Sequence, residues 1–268
     1  MSDDAHSIYS LLHEMLDQLE TSFDDEFTPY VRISIAGWAN LTTGLRRGQV
    51  HVLYGPARSG LTSLGLTIAR NAAVRYNQPT VFVSETVTAG ELTRRCVAAQ
   101  ASVPLRKIEM STAHEKQWES IGAATGKLAE APLRLCESPA DGNLEPFLEP
   151  FSDACPPALL VLDRQIHPEP EMLSALATAR NLAILVLMPQ NNLTEPDHQT
   201  RFDSTAQSIA HLEPAVFTAT GKVDAVIKIS KNKFGHIGQF SVAFIEELLT
   251  WCDILDLDDP PSFGAPST

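Results

Sequence analysis

The run Gly55-Pro56-Ala57-Arg58-Ser59-Gly60-Leu61-Thr62 constrains the fold more than any other stretch of this chain. It follows an apolar segment, 50–54, and opens a stretch, 61–76, with apolar residues at helical spacing. Strand, glycine-bracketed loop and helix in that order are the frame of a phosphate-binding loop, G-x-x-x-x-G-K-[ST]. In that frame backbone N–H groups curl around phosphate oxygens at a helix N-terminus. Leu61 stands where the frame has lysine. The loop therefore offers peptide dipoles without the ammonium that reaches the β- and γ-phosphates. Candidate cofactor-binding residues are Gly55, Arg58, Ser59, Gly60, Leu61, Thr62 and Ser63, with ATP and Mg2+ as the ligands and the Thr62 hydroxyl on the metal.

Around this frame short apolar runs alternate with helical stretches. Strands are expected at 50–54, 80–84, 133–136, 158–163 and 183–188, and helices at 61–76, 89–101, 113–130, around 144–151 and at 172–179. Alternation of this kind makes an α/β fold with a mostly parallel sheet flanked by helices on both faces. The β-rich runs 223–230 and 239–245 flank a basic, glycine-containing stretch, 231–238, and read as an antiparallel hairpin, while 191–212 reads as a loop. Ile8, Leu11, Leu12, Met15, Leu16 and Leu19 give an amphipathic N-terminal helix ahead of an acidic linker. The expected organisation is residues 1–30 as helix and linker, 31–252 as the P-loop domain, and 253–268 as an acidic, disordered tail.

Composition limits the function classes. The formal net charge of −13 argues against a surface that grips nucleic acid throughout, because phosphate affinity comes mainly from Lys and Arg. Much of the acid lies near the two ends, so a local basic strip remains compatible with it. No apolar run is long enough for a membrane span, and the acidic N-terminus lacks a secretory signal, so a soluble, cytoplasmic protein is expected. Cys96, Cys136, Cys155 and Cys252 are scattered without C-x-x-C spacing, which reads as reduced thiols rather than a zinc site.

Three further residues suit phosphoryl chemistry. Leu159-Leu160-Val161-Leu162-Asp163 is an apolar strand ending in a carboxylate, the form of a Walker B element that holds Mg2+. Glu85 follows the strand after the P-loop helix, where a carboxylate can polarise an attacking water. Gln190 lies just past the strand 183–188, in position to sense a γ-phosphate.

Several segments together resemble the DnaB-type replicative helicases. They are Trp38-Ala39-Asn40-Leu41-Thr42-Thr43-Gly44-Leu45-Arg46-Arg47-Gly48-Gln49, the stretch from Ile68-Ala69-Arg70-Asn71-Ala72-Ala73 into Ser84-Glu85, Gly126-Lys127-Leu128-Ala129-Glu130-Ala131-Pro132-Leu133, and Lys231-Asn232-Lys233-Phe234-Gly235. Order and spacing hold between residues 33 and 244. The resemblance implies a RecA-like, superfamily 4 ATPase core that assembles into a ring and binds ATP between neighbours. It also implies single-stranded DNA threaded through the centre, with ATP-dependent unwinding in DNA replication as the family activity. The N-terminal helix would dock on an adjacent subunit. Catalytic roles carry over to Glu85 as base and Gln190 as sensor, with Lys231 and Lys233 supplied across the interface and Thr62 and Asp163 on Mg2+.

The chain departs from the family pattern at three places. Leu61 replaces the P-loop lysine, Lys233 stands at the arginine finger, and Asp203-Ser204-Thr205-Ala206-Gln207-Ser208-Ile209 replaces a run that faces DNA. One preorganised electrostatic contact is worth on the order of 10²- to 10³-fold in rate. The reading is a domain that binds nucleotide weakly with attenuated or lost hydrolysis and acts by assembly with itself or with a true helicase. Two alternatives are a nucleotide-independent scaffold and an active helicase in which Arg58 replaces the lysine.

Overall fold

The computed structural model describes residues 28–139, 143–151, 155–163, 169–190, 201–217 and 222–254, together with Ile8, Leu12 and His13. These three are helical, and Ile8 and Leu12 are exposed. The rest of the expected N-terminal helix, and the tail from residue 255, lie outside the described residues.

A short antiparallel pair, β1 (Tyr30–Val31) and β2 (Leu45–Arg46), brackets the helix α1 (Ala36–Thr42). Then β3 (Val50–Pro56) leads through the P-loop into α2 (Leu61–Tyr76), followed by β4 (Thr80–Ser84) and α3 (Ala89–Ala101). Next come α4 (Leu105–Glu109), α5 (Glu115–Glu130), β5 (Leu133–Glu137), β6 (Leu159–Asp163), α6 (Pro170–Arg180) and β7 (Ala183–Gln190). The chain ends in β8 (Ser208–Phe217), β9 (Lys222–Asn232), β10 (Gly238–Ile245) and β11 (Thr250–Asp253).

These strands form one nine-stranded sheet in the order β11-β10-β9-β8-β3-β7-β6-β4-β5. From β8 to β5 every neighbouring pair is parallel, and β8 through β11 form an antiparallel meander. The period of two along each strand sends alternate residues to opposite faces. Leu53, Phe82, Val161 and Leu185 join the core under α2, while Val52, Tyr54, Val81, Leu160, Leu162 and Ile184 join a second core with Leu173 and Phe202. Gly65 lets α2 press onto β7: a Cβ there would stand 2.5 Å from Leu187 Cδ1.

His51 shows how the polar groups inside β3 are satisfied. Its Nε2 lies 3.1 Å from the Arg46 carbonyl, which only accepts, so Nε2 carries the proton and Nδ1 accepts from the Ser208 hydroxyl at 2.8 Å. Burial lowers its pKa to about 4, so the imidazole is neutral.

The α/β expectation is met, and three local readings are corrected. Residues 144–151 hold a single 3-10 turn, Glu145–Leu148, because Pro150 has no N–H to donate and Glu149 before it takes ψ 142°, outside the helical region. The stretch expected as a loop up to residue 212 contains the start of β8, so Ser208 and Ile209 are strand residues. The expected antiparallel hairpin is β9 and β10, and β8 and β11 extend it into a four-stranded meander. Asp253, assigned by sequence to the acidic tail, is the last residue of β11, and its carboxylate accepts from the Ala36 N–H at 2.9 and 3.1 Å.

Candidate nucleotide site

Parallel register brings the candidate residues to one edge. Gly55 and Pro56 pair with Pro189 and Gln190, Ser84 pairs with Asp163, and Asp163 pairs with Leu187. This is the carboxyl edge of the parallel strands, where open α/β sheets bind ligands. Glu85 is exposed one step beyond, its N–H donating to the Asp163 carbonyl at 2.9 Å.

The loop between β3 and α2 turns tightly. Ser59 N–H donates to the Pro56 carbonyl at 3.2 Å, and Arg58 (φ 64°) and Gly60 (φ 84°) take left-handed conformations. Gly60 is the N-cap and no side chain caps the helix, so the peptide dipoles of the first turn are left for a ligand or solvent. Arg58 is exposed at the tip. Ser63 is buried, and its carbonyl accepts from the Thr67 hydroxyl at 2.8 Å.

Leu61 is only 6% exposed and belongs to the core that includes Leu64, Leu187 and Leu212. Its side chain folds back across the start of the loop, since a Cβ on Gly55 would lie 3.2 Å from Leu61 Cδ1 and 3.3 Å from Leu212 Cβ. The position that carries the charge of a complete P-loop is used here for packing.

Thr62 and Asp163, the two residues expected to hold Mg2+, are brought together. The Thr62 hydroxyl donates to Asp163 Oδ1 at 3.2 Å and the Ser84 hydroxyl to Oδ2 at 3.0 Å. Burial raises the Asp163 pKa, the two hydroxyls and nearby Arg95 oppose that shift, and Glu85 adds to it. Mg2+ typically takes one or two protein oxygens and fills its octahedron from phosphates and water. Thr62 and Asp163 fit that demand, and among the described residues no group of three or more His, Cys, Asp or Glu provides a self-sufficient cage. Ser59 Oγ and Gln190 Nε2 are buried without a hydrogen-bond partner among the described residues, and such orphaned polar atoms at a loop mouth suit phosphate oxygens.

Lys231 and Lys233 are elsewhere. Ile209 of β8 pairs with Val52 on one side and with Lys231 on the other, so both lysines lie toward the start of β3, away from the loop of their own chain. The Lys231 ammonium donates to the Asp203 carbonyl, and burial followed by repulsion from Lys233 lowers its pKa. Lys233 is exposed, with its backbone N–H on the Gln207 carbonyl at 3.1 Å.

Sequence reasoning missed Ser84, Arg95 and Trp251 as members of this neighbourhood. Ser84 was legible in principle, since the residue preceding Glu85 ends the strand next to β6. Trp251 carried no signal, because its position beside Gly60 depends on the unforeseen strand β11.

Residues 33–145 match the family described as DnaB-like helicase C terminal domain. This stretch of the chain is similar to the C-terminal domain of the DnaB-like helicases. Among curated relatives, the replicative DNA helicase DnaB of Leifsonia xyli is 34% identical over 99 residues, 37% of this chain and 22% of that protein. The DnaB of Treponema pallidum is 24% identical over 131 residues, 48% of this chain and 30% of that protein. The matches thus span less than a third of either relative. Among solved structures, one described as an ATPase domain superimposes with a TM-score of 0.76 at 15% identity, covering 94% of this chain and all of that one. A DnaB-like replicative helicase, solved in a study of its interactions with primase, gives 0.73 at 15% identity over 94% of this chain and 68% of its own. These two likenesses show the fold, a RecA-like α/β core. No helix of the described residues is long and apolar enough to cross a membrane.

Proposed function

We propose that this DnaB-like domain binds ATP and Mg2+ weakly, hydrolyses ATP slowly or not at all, and works in DNA replication in the cytoplasm by assembling with itself or with an active helicase. The observation that carries this reading is the contrast between two adjacent residues, Thr62 and Leu61. Thr62, Ser84 and Asp163 are hydrogen-bonded as a metal-side cluster, while Leu61 is buried in the core where a cation is required for turnover. Preorganised backbone dipoles favour phosphate binding, and the missing charge falls on the transition state. Lys231 and Lys233 lie away from their own loop, which suits supply to a neighbouring subunit, and single-stranded DNA is the polymer such an assembly would enclose.

Titration of the chain with ATP and Mg2+ by calorimetry, with phosphate release followed in parallel, tests this. Saturable heat with little or no release is expected. Absence of heat would favour the nucleotide-independent scaffold, and release that disappears in Arg58→Ala would favour an active helicase using Arg58.

A further inference from the structure

The C-terminal strand reaches back to the P-loop. Trp251 on β11 is 3% exposed, and its indole N–H donates to the Gly60 carbonyl at 3.1 Å. The ring also covers the glycine: a Cβ on Gly60 would lie 3.1 Å from Trp251 Cζ2 and 3.3 Å from Nε1. Trp251 N–H donates to the Thr67 hydroxyl at 3.3 Å, and the hydroxyls of Thr67 and Thr250 are 3.1 Å apart, so β11 is stitched to α2 beyond the loop. Phe244 packs against the indole with ring centroids 4.9 Å apart.

The Gly60 carbonyl and the Leu61 N–H belong to one planar peptide. Gly60 also accepts the first intrahelical bond, from Leu64 N–H at 2.9 Å, and glycine at φ 84° has broad freedom to rotate that plane. A second donor on the same carbonyl fixes the plane, and with it the direction in which the Leu61 N–H points. Where the loop lysine is absent, backbone amides must carry phosphate recognition, so their aim matters more.

We propose that Trp251 is a positioning residue for the phosphate site, aiming the Leu61 N–H by holding the carbonyl of the same peptide. The nucleotide part of this proposal rests on the reading of the loop as a phosphate site, and the conformational part does not. Trp251→Phe keeps an aromatic ring and removes the donor. In the full chain without nucleotide, amide exchange at Leu64, whose N–H bonds the same Gly60 carbonyl, should quicken about three- to ten-fold, the loss expected for one net hydrogen bond. Affinity for ADP with Mg2+ should fall by a similar factor. In chain labelled with 5-fluorotryptophan, the Trp251 resonance, assigned by its absence from the variant, should shift on adding ADP and Mg2+ while exposed Trp118 does not respond. A purely structural role would leave that resonance unmoved.

Unchanged exchange in Trp251→Phe overturns the proposal, as does faster exchange with unaltered ADP affinity. If the wild type binds no ADP, the nucleotide reading fails and the exchange result still decides the clamp. If Trp251→Phe does not fold, the wild-type resonance is assigned by removing the other two signals in Trp38→Phe and Trp118→Phe, and a stationary Trp251 resonance at saturating ADP overturns the proposal.

Discussion

Restoring lysine at position 61 should move stability and affinity in opposite directions. Leu61 is 6% exposed, and full burial of a leucine side chain contributes about 1.5–3 kcal/mol. A lysine keeps its methylene stem against Leu212 and Gly55 while its ammonium reaches outward, so Leu61→Lys should cost about 1–2 kcal/mol. A charge-assisted hydrogen bond from that ammonium to a phosphate oxygen contributes about 1.5–3 kcal/mol, which is roughly 10- to 100-fold in affinity. Denaturant unfolding without nucleotide reads the first effect, and calorimetry with ADP and Mg2+ reads the second. A variant that is less stable and binds ADP no more tightly would refute the phosphate-site reasoning. A variant of unchanged stability would refute the placement of Leu61 in the core.

Other outcomes follow from the same geometry. His51 has its pKa lowered from 6.5 to about 4, so the unfolded chain takes up its proton first as pH falls. The associated stability is complete above pH 6.5 and is lost toward pH 4, with a magnitude of about 3 kcal/mol, so denaturation midpoints should depend less steeply on pH in His51→Gln than in the wild type. Asp163 has a raised pKa, so its stability contribution is present below the ordinary carboxylate value and lost as pH rises through the raised value. Asp163→Asn should therefore raise the thermal midpoint at pH 8 but not at pH 3, and should remove the Mg2+ dependence of nucleotide binding. Glu85→Gln should abolish whatever slow phosphate release the wild type shows, and release indifferent to that change would remove Glu85 from the role of base.

Local patterns made the parallel half of the fold legible. The glycine frame and the apolar runs of β3, β4, β6 and β7 are continuous in sequence, and buried parallel strands carry no competing signal. The meander was only half visible. β8 carries His211, Glu213 and Pro214 in its run, with a bulge between Glu213 and Val216, and β11 is four residues long. In the site, Thr62 and Asp163 were readable because each sits at a motif position, and the structure joins them at 3.2 Å. Trp251 was unreadable because its contact with Gly60 spans 191 residues of chain and depends wholly on tertiary packing. The consequence of Leu61 was readable as a missing charge, but its use as a core residue needed the positions of Gly55 and Leu212.

Titration of the wild-type chain with ATP and Mg2+, with phosphate release followed alongside, asks whether this loop binds nucleotide without turning it over efficiently. Saturable binding that weakens when Mg2+ is withdrawn, accompanied by little or no phosphate release, is the predicted result. No binding at millimolar ATP, or sustained release at a helicase-like rate, would contradict it.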